Sequence, residues 1–317
     1  MKRAPVFWVV AIVLLTVLPP VASALGQPFY IDLVRRILIL AIAAASLNLI
    51  LGYGGMVSFG HAAYLGIGAY AVGILAFYGV TNGWLQWGAA IAGSALVAAA
   101  IGAVSIRTSG IYFIMITLAF TQMLYYLGLS LEVFGGDDGM RLKARSAFPL
   151  VDLGDPVTLY YVALAVLLVS VFLIHKIANS RFGMALRAGK SNEARARAIG
   201  FPLYPIRLAA FVVAGALCGV AGALYANHTN YITPGLMSWL QSGELMFMVI
   251  LGGMGTAPGP VLGAFAFVLL EELLKTLLGL RSSDWAEHWA LVMGPLLVLS
   301  VIFFRRGLAG LVSREHG

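Results

Sequence analysis

Long apolar runs, separated by short polar or glycine-rich stretches, dominate this sequence. The runs are long enough for helices that cross a hydrocarbon core of roughly 30 Å, and they lack the two-residue alternation of a membrane barrel. The pattern therefore predicts an all-α, polytopic membrane bundle of about ten spans. The candidate spans are Val6–Leu25, Leu33–Leu51, Gly60–Val80, Trp84–Ile106, Gly110–Leu131, Val157–Ala178, Leu208–Asn227, Gly243–Met254, Pro260–Gly279 and Trp285–Phe304.

Glycine interrupts this pattern at two places. Residues 48–61 read NLILGYGGMVSFGH and residues 250–260 read ILGGMGTAPGP. Such broken helices are tolerated in a membrane only where protein or a watery cavity satisfies the freed backbone. Each break precedes a helix of small and aromatic residues, GAYAV at 68–72 and GAFAF at 263–267. The pairing predicts a weak internal repeat around a central pathway, with convergent glycine-rich packing as the alternative.

One connection, Ser180–Arg207, is strongly cationic, with six basic residues against the single acid Glu193. Within it the pattern predicts a two-turn helix capped by Ser191 and ended by Gly200 and Pro202. Glu193 lies four residues before Arg197, the spacing of a helical ion pair. The segment is either a docking element at the cytoplasmic face or a solvated loop whose charges only set the topology.

Composition supports the membrane class, because 61% of the 317 residues are hydrophobic and only 10% are charged. The net charge of +7 therefore says little about nucleic acid. The positive-inside rule favours both termini in the cytoplasm. That orientation puts on the cytoplasmic side Lys2, Arg3, Arg107, the 181–207 cluster, Arg305, Arg306 and Arg314. The opposite side receives Arg35, Arg36, Arg141, Lys143, Arg145, Lys275 and Arg281, together with Glu132, Asp137, Asp138, Asp152, Asp155, Asp284 and Glu287.

Arg35 and Arg36 fit this orientation poorly, and snorkelling from a helix end is the explanation that the sequence offers. The start of the chain also resembles a signal peptide that ends in Ala22-Ser23-Ala24, although its apolar run is long for one.

Sequence signatures of an enzyme do not withstand inspection. Gly183–Ser191 resembles a nucleotide-binding P-loop, but five residues separate its glycines where four are needed. The chain has no HExxH motif and no clustered cysteine and histidine, and its one cysteine, Cys218, lies in an apolar run as a packing residue. We therefore expect no catalytic site, no metal site and no cofactor in this chain, so that any ATP would be hydrolysed by another subunit.

Polar residues inside the apolar segments are the candidates for a translocation pathway. His61 either lines the pathway or satisfies backbone carbonyls, and Glu244 lies where it is simply wet. Glu271 and Glu272 lie two turns from a helix end near Lys275, where an interfacial ion pair is expected. The predicted pathway residues are Asn48, Ser58, His61, Gly252, Gly253 and Thr256.

Three ordered segments over about residues 30–305 resemble the LivM-type permeases of branched-chain amino-acid ABC importers. They are LNLILGYGGMVSFGHAAYLGIGAYAVGIL, the end of the basic segment with the following helix, RAIGFPLYPIRLAAFVVAGALCGVAGALYA, and VILGGMGTAPGPVLGAFAFVLLEELL. The resemblance implies a type II importer-like permease, with 1–317 as a single transmembrane domain in a bacterial inner membrane and 180–207 as its cytoplasmic coupling loop.

The resemblance also implies partners: a second, LivH-like permease subunit, two cytosolic ATPases that bind ATP and magnesium, and an extracytoplasmic solute-binding protein. The residues that would contact the ATPase are Arg187, Glu193, Ala194, Arg195, Arg197 and Gly200. This stretch, EARARAIG at 193–200, is more basic than the glutamate-rich sequence usual in the family. The expected substrates are branched-chain amino acids; the alternatives are a permease for urea, amides or other amino acids, or a secondary transporter.

Overall fold

The structure is a computed structural model that describes residues 3–149, 151–280, 288–303 and 307–312. Several residues named above lie outside this range: Lys2, Arg281, Asp284, Trp285, Glu287, Phe304, Arg305, Arg306 and Arg314.

The described residues form helices almost throughout, as the apolar runs predict. The helices are α1 (Arg3–Ala24), α2 (Pro28–Asn48, continued by a π turn at Leu49–Tyr53), α3 (His61–Phe77), α4 (Gly83–Ser105), α5 (Ile111–Ser130), α6 (Pro156–Asn179), α7 (Arg181–Ser191), α8 (Glu193–Ala198), α9 (Leu203–Thr229), α10 (Trp239–Gly252), α11 (Gly259–Gly279), α12 (Trp289–Phe303) and α13 (Ala309–Val312). The short strands are β1 (Met140–Arg141), β2 (Ala147–Phe148), β3 (Val151–Asp152) and β4 (Tyr231–Ile232).

Each candidate span falls on one of these helices where it is described. Five helices are long and apolar enough to cross a membrane by length and composition. They are Pro28–Tyr53, Gly83–Ser105, Ile111–Ser130, Pro156–Asn179 and Leu203–Thr229, and shorter apolar helices lie at Val10–Ala24, His61–Phe77, Trp239–Gly252 and Trp289–Leu299. The chain is therefore a multi-pass, all-helical membrane protein, while the total of about ten spans and the internal repeat stay predictions.

The bundle has two ends that differ in structure. At the strand end, β1 pairs antiparallel with β4 (Met140 opposite Ile232) and β2 pairs antiparallel with β3 (Phe148 opposite Val151). The opposite end is called here the α7–α8 end. Helices α7 and α8 form the connection between α6 and α9 there and lie outside the bundle. Because α2 runs from the strand end to the α7–α8 end, it connects the two.

Helix α2 is the centre of the core, because 89% of the residues in its most apolar stretch are buried. Beside it, α3, α4 and α9 approach closely through small residues. A side chain at Gly68 would meet the backbone of Gly219, and one at Gly222 would meet the backbone of Leu65. The glycines thus serve the close helix packing that is typical of membrane bundles.

The expectation that Arg35 and Arg36 snorkel from a helix end is wrong. Arg35 is buried and donates to Asp32, to Nδ1 of His228 at 2.7 Å and to the carbonyl of Pro156 at 3.2 Å. Its three partners lie at the start of α2, the end of α9 and the start of α6, so this arginine joins three helices at the strand end. Arg36 instead turns toward Glu271 of α11.

Candidate functional site

The cationic segment forms two helices, and its predicted cap is wrong. Ser191 is the last residue of α7 and does not cap α8. The Asn192 side chain performs this role, since its Oδ1 accepts from the backbone N–H of Arg195 at 2.9 Å. Ser180 caps α7 in the same manner by accepting from the N–H of Gly183 at 3.3 Å. Both helices therefore have side-chain caps at their N-termini.

The predicted stop at Gly200 is confirmed. Gly200 has φ +90°, and its N–H bonds the carbonyl of Arg197 at 3.0 Å. The N–H of Phe201 reaches back to the carbonyl of Ala196 at 3.1 Å. This pair of bonds is the Schellman arrangement that ends a helix at a residue of positive φ. The backbone of Gly200 thus fixes where α8 ends and where the chain turns into α9.

Glu193 holds α8 in place through two arginines. Its carboxylate accepts from Arg197 at 2.5 Å, which confirms the predicted i,i+4 pair, and from Arg207 of α9 at 2.8 Å. The hydrogen bond from Arg207 is the main reason that the pKa of this carboxyl lies below its usual value. The acid therefore stays charged at neutral pH and ties α8 to the start of α9.

The face of this segment that points away from the bundle is exposed, cationic and partly apolar. Of the six predicted coupling residues, Arg187, Ala194, Arg195, Arg197 and Gly200 are exposed and Glu193 is half-buried. Sequence reasoning missed Ile199, which is 68% exposed, and Met184, which is 54% exposed. The available signal was the apolar character of both residues within a cationic loop. An exposed apolar side chain surrounded by arginines is suited to a protein partner.

Lys190 connects this segment to the first helix break, and sequence reasoning did not single it out. Its Nζ donates to the carbonyl of Gly52 at 2.6 Å, at the end of the π turn that follows α2. A cation at this point satisfies a carbonyl that the helix itself leaves unpaired. The contact lies at the edge of a cavity of about 290 Å³ between the first break, the α4–α5 connection and α7–α8.

The two helix breaks meet in the structure. The Asn48 side chain accepts from the N–H of Gly255 at 2.9 Å and donates to the carbonyl of Thr256 at 2.8 Å. The Thr256 hydroxyl in turn donates to the carbonyl of Gly253 and accepts from the N–H of Gly259, the first residue of α11. One amide side chain of the first break therefore satisfies the open backbone of the second.

The predicted pathway residues divide into two groups. Asn48, Thr256 and the neighbouring Gly252 and Gly253 come together at the crossing of the breaks.

The remaining two residues, Ser58 and His61, share no hydrogen bond with that group in the described structure. The Ser58 hydroxyl accepts from the N–H of Gly60 at 3.1 Å, and His61 Nε2 pairs with the Ser46 hydroxyl at 2.8 Å. Both residues are fully buried. The expectation that His61 satisfies backbone carbonyls is therefore wrong, because its ring nitrogen bonds a hydroxyl.

A family profile described as "Branched-chain amino acid transport system / permease component" matches residues 29–301. The high-affinity branched-chain amino acid transport system permease protein LivM of Escherichia coli K12 is 27% identical over 325 residues, which cover 95% of this chain and 74% of that protein. A probable LivM of Methanocaldococcus jannaschii is 26% identical, over 88% of this chain and 93% of that protein. The autoinducer 2 import system permease protein LsrC of Yersinia enterocolitica is 29% identical over 202 residues, 60% of this chain and 52% of that protein. No solved structure matches the chain.

The fold, the site and these similarities define the class of protein. It is a multi-pass helical membrane permease with broken helices and an exposed cationic segment at one end. Since the family profile covers most of the chain, the protein belongs to the family of permease components of branched-chain amino acid transport systems. The resemblance inferred from the sequence is thereby confirmed. The chain is a membrane permease of an ATP-binding-cassette importer, and its relatives are permease subunits and not enzymes.

Proposed function

We propose that this chain forms part of the translocation pathway for branched-chain amino acids in a bacterial inner membrane. The substrate assignment rests on the LivM relatives, such as that of Escherichia coli K12, which matches 95% of this chain. The LsrC match covers only 60% of the chain and gives weaker support for another cargo. Urea, amides or other amino acids are the remaining substrate alternatives.

We also propose ten crossings with both termini in the cytoplasm and 1–317 as one permease domain. Five crossings are the long apolar helices, α1 and α11 are two more, and the eighth is the predicted span Trp285–Phe304, of which the structure describes α12. The other two are composite, because α3 with 17 residues and α10 with 14 reach only about 25 and 21 Å at 1.5 Å per residue. Residues 54–60 and 233–238 complete them as non-helical or 3₁₀ backbone that is mostly buried or half-buried.

The orientation follows from charge. The α7–α8 end carries the exposed cations of the 181–207 segment and Arg107, whereas the strand end carries the acids of the α5–α6 connection. By the positive-inside rule the α7–α8 end faces the cytoplasm.

The observation that carries the coupling role is the capped, exposed and cationic helix pair of that end. Helix α8 is fixed at its start by Asn192, at its end by Gly200 and along its side by Glu193. Such a rigid, partly apolar and water-facing element is suited to binding an external partner. That partner is an ATPase subunit. The chain itself then needs no cofactor, since the ATPases bind ATP and magnesium.

Two contacts form a route from this docking face to the helix breaks. Lys190 of α7 bonds the carbonyl of Gly52, and Asn48, one turn earlier on α2, bonds Gly255 and Thr256. A displacement of α7 by the ATPase would therefore move both breaks together. The complete importer also contains a LivH-like second permease and an extracytoplasmic solute-binding protein.

The test is uptake of radiolabelled leucine by proteoliposomes. We expect ATP-dependent accumulation when the chain is reconstituted with its second permease, two ATPases and binding protein, and none from the chain alone. Accumulation by the chain alone, driven by an ion gradient, would contradict the proposal in favour of a secondary transporter. Competition by urea or acetamide, but not by isoleucine or valine, would contradict the substrate.

A further inference from the structure

Four charged side chains lie on the membrane helices, in the half of the bundle nearer the strand end. They are Arg36 on α2, Glu244 on α10, and Glu271 and Lys275 on α11. Arg36 is eight residues inside its helix and Glu271 is eight residues before the end of its own, so each lies about 12 Å from the strand end at 1.5 Å per residue. Charges at such depth are costly in a membrane and are retained for pairing or for a solute route.

The pairing among the four is uneven. Glu271 is buried and takes both cations, with Lys275 Nζ at 2.5 Å and Arg36 Nη2 at 3.3 Å. An ion pair was expected for Lys275 with Glu271 and Glu272, and the structure forms it with Glu271. The contact of Arg36 is long for a charge-assisted hydrogen bond, and its Nε and Nη1 donate to no other group in the described structure.

Among these four charged residues, Glu244 is the one that forms no ion pair in the described structure. It is half-buried, not simply wet, and it lies on a helix that packs against both α2 and α11. No cation lies within ion-pair distance of its carboxylate among the described residues, and its hydrogen bond comes from Gln241 Nε2 at 2.9 Å. The cluster is neutral as a whole, and its weakly bonded guanidinium and carboxylate lie on α2 and α10, two helices that pack against each other.

The accessible part of the cluster faces away from the bundle core. The Arg36 side chain is 33% exposed and that of Lys275 is 36% exposed. A charged side chain that is about one-third exposed at this depth would face hydrocarbon only at a large free-energy cost. This face of α2, α10 and α11 therefore borders water or the second permease.

We propose that Arg36 and Glu244 form a transient binding site for the zwitterionic end of a free α-amino acid. The Arg36 guanidinium binds the α-carboxylate through two parallel N–H bonds, and the Glu244 carboxylate binds the α-ammonium group. Binding replaces the long contact of Arg36 to Glu271, which keeps Lys275 as its partner, so the net charge of the site does not change. This site rests on the proposed function, because it assumes that the solute is an amino acid.

The first test is leucine uptake by the complete reconstituted importer carrying Arg36→Gln or Glu244→Gln. Loss of a charged hydrogen-bond partner should slow uptake about tenfold or more. The matched control is Glu272→Gln, an acid at the next position of α11 that the site does not use, which should transport within about twofold of the parent. Uptake within twofold of the parent by both Arg36→Gln and Glu244→Gln would overturn the site.

Two further measurements distinguish solute binding by Arg36 and Glu244 from a purely structural role of these side chains. Arg36→Lys keeps the charge but cannot bind a carboxylate with two parallel bonds, so it should assemble with both ATPases and still transport severalfold more slowly. In Glu244→Cys, the new thiol should react with small charged thiosulfonates, because the proposed site is open to the solute. The parent provides the background, because its Cys218 is buried.

The outcomes are distinct. A Glu244→Cys thiol that reacts no faster than Cys218, or an Arg36→Lys complex that transports at the parent rate, would contradict this site while leaving the proposed function intact. A parent complex that hydrolyses ATP without moving leucine would instead contradict the proposed substrate, and the ligand of this site with it.

Discussion

Gly200→Val should separate folding of the membrane bundle from its coupling to the ATPase. Gly200 has φ +90° and its Cβ would meet no atom within 4 Å, so the substitution adds no clash and acts through the backbone alone. A β-branched residue at positive φ costs about 1–2 kcal/mol. Helix α8 has only six residues and little stability of its own, so a penalty of this size shifts its local population by a factor of about 5 to 30.

The assay is retention of the ATPase subunits on the purified complex, together with solute-stimulated ATP hydrolysis. We expect Gly200→Val to lower both by about fivefold or more, with the melting temperature of the bundle unchanged, because the penalty falls on α8 alone. Gly200→Asn is the matched control, since asparagine tolerates a left-handed backbone and should retain coupling. Gly79→Val controls for position, because Gly79 has φ +81° and the same open surroundings in the α3–α4 connection at the other end.

The reasoning would be refuted if Gly200→Val retained its ATPases and coupled like the parent. The cationic segment would then only set the topology. Equal loss in Gly200→Val and Gly79→Val would also refute it, since the effect would not belong to the α7–α8 end.

Three further predictions follow from single contacts. Lys190→Met removes the donor to the Gly52 carbonyl and should leave ATPase binding intact while uptake per ATP hydrolysed falls severalfold, as measured in proteoliposomes; unchanged stoichiometry would contradict the coupling route. Asn48→Ala leaves the Gly255 N–H and the Thr256 carbonyl without their side-chain partner, at a cost of about 1–3 kcal/mol per group, and should lower the melting temperature, whereas exposed Asn179→Ala should not. Glu193 has a lowered pKa in the fold, so its stabilisation of α8 is present at neutral pH and is lost as the pH falls through that lowered pKa; hydrogen exchange of α8, corrected for intrinsic rates, should accelerate only there, and Glu193→Gln should abolish this dependence.

Much of the helical fold could be predicted because membrane spans are marked locally. A run of apolar residues reveals a helix without knowledge of its neighbours, and the Gly-Phe-Pro sequence after α8 reveals its end. The Glu193–Arg197 pair was visible because its spacing follows from helix geometry alone.

Contacts between distant segments could not be predicted in this way. Arg36 and Glu271 are 235 residues apart, and Asn48 and Gly255 are 207 apart. Nothing in the local pattern around either residue specifies its partner, so Arg36 looked like a misplaced surface charge.

The error at the cap has a local cause. Ser191 and Asn192 are adjacent and both are good N-cap residues, so composition alone does not decide between them. The structure extends α7 through Ser191, where Lys190 holds the Gly52 carbonyl, and the cap therefore moves to Asn192.

The central claim is that the α7–α8 face binds an ATPase in the cytoplasm, and crosslinking from Ile199 tests it most directly. Ile199→Cys, carrying a photoactivatable thiol reagent in the assembled complex, should crosslink to an ATPase subunit, since this large apolar side chain directly after α8 is 68% exposed. Gly79→Cys, treated in the same way, should not. If Ile199→Cys forms no crosslink and is instead labelled by impermeant reagents from outside intact cells, both the docking face and the orientation are wrong.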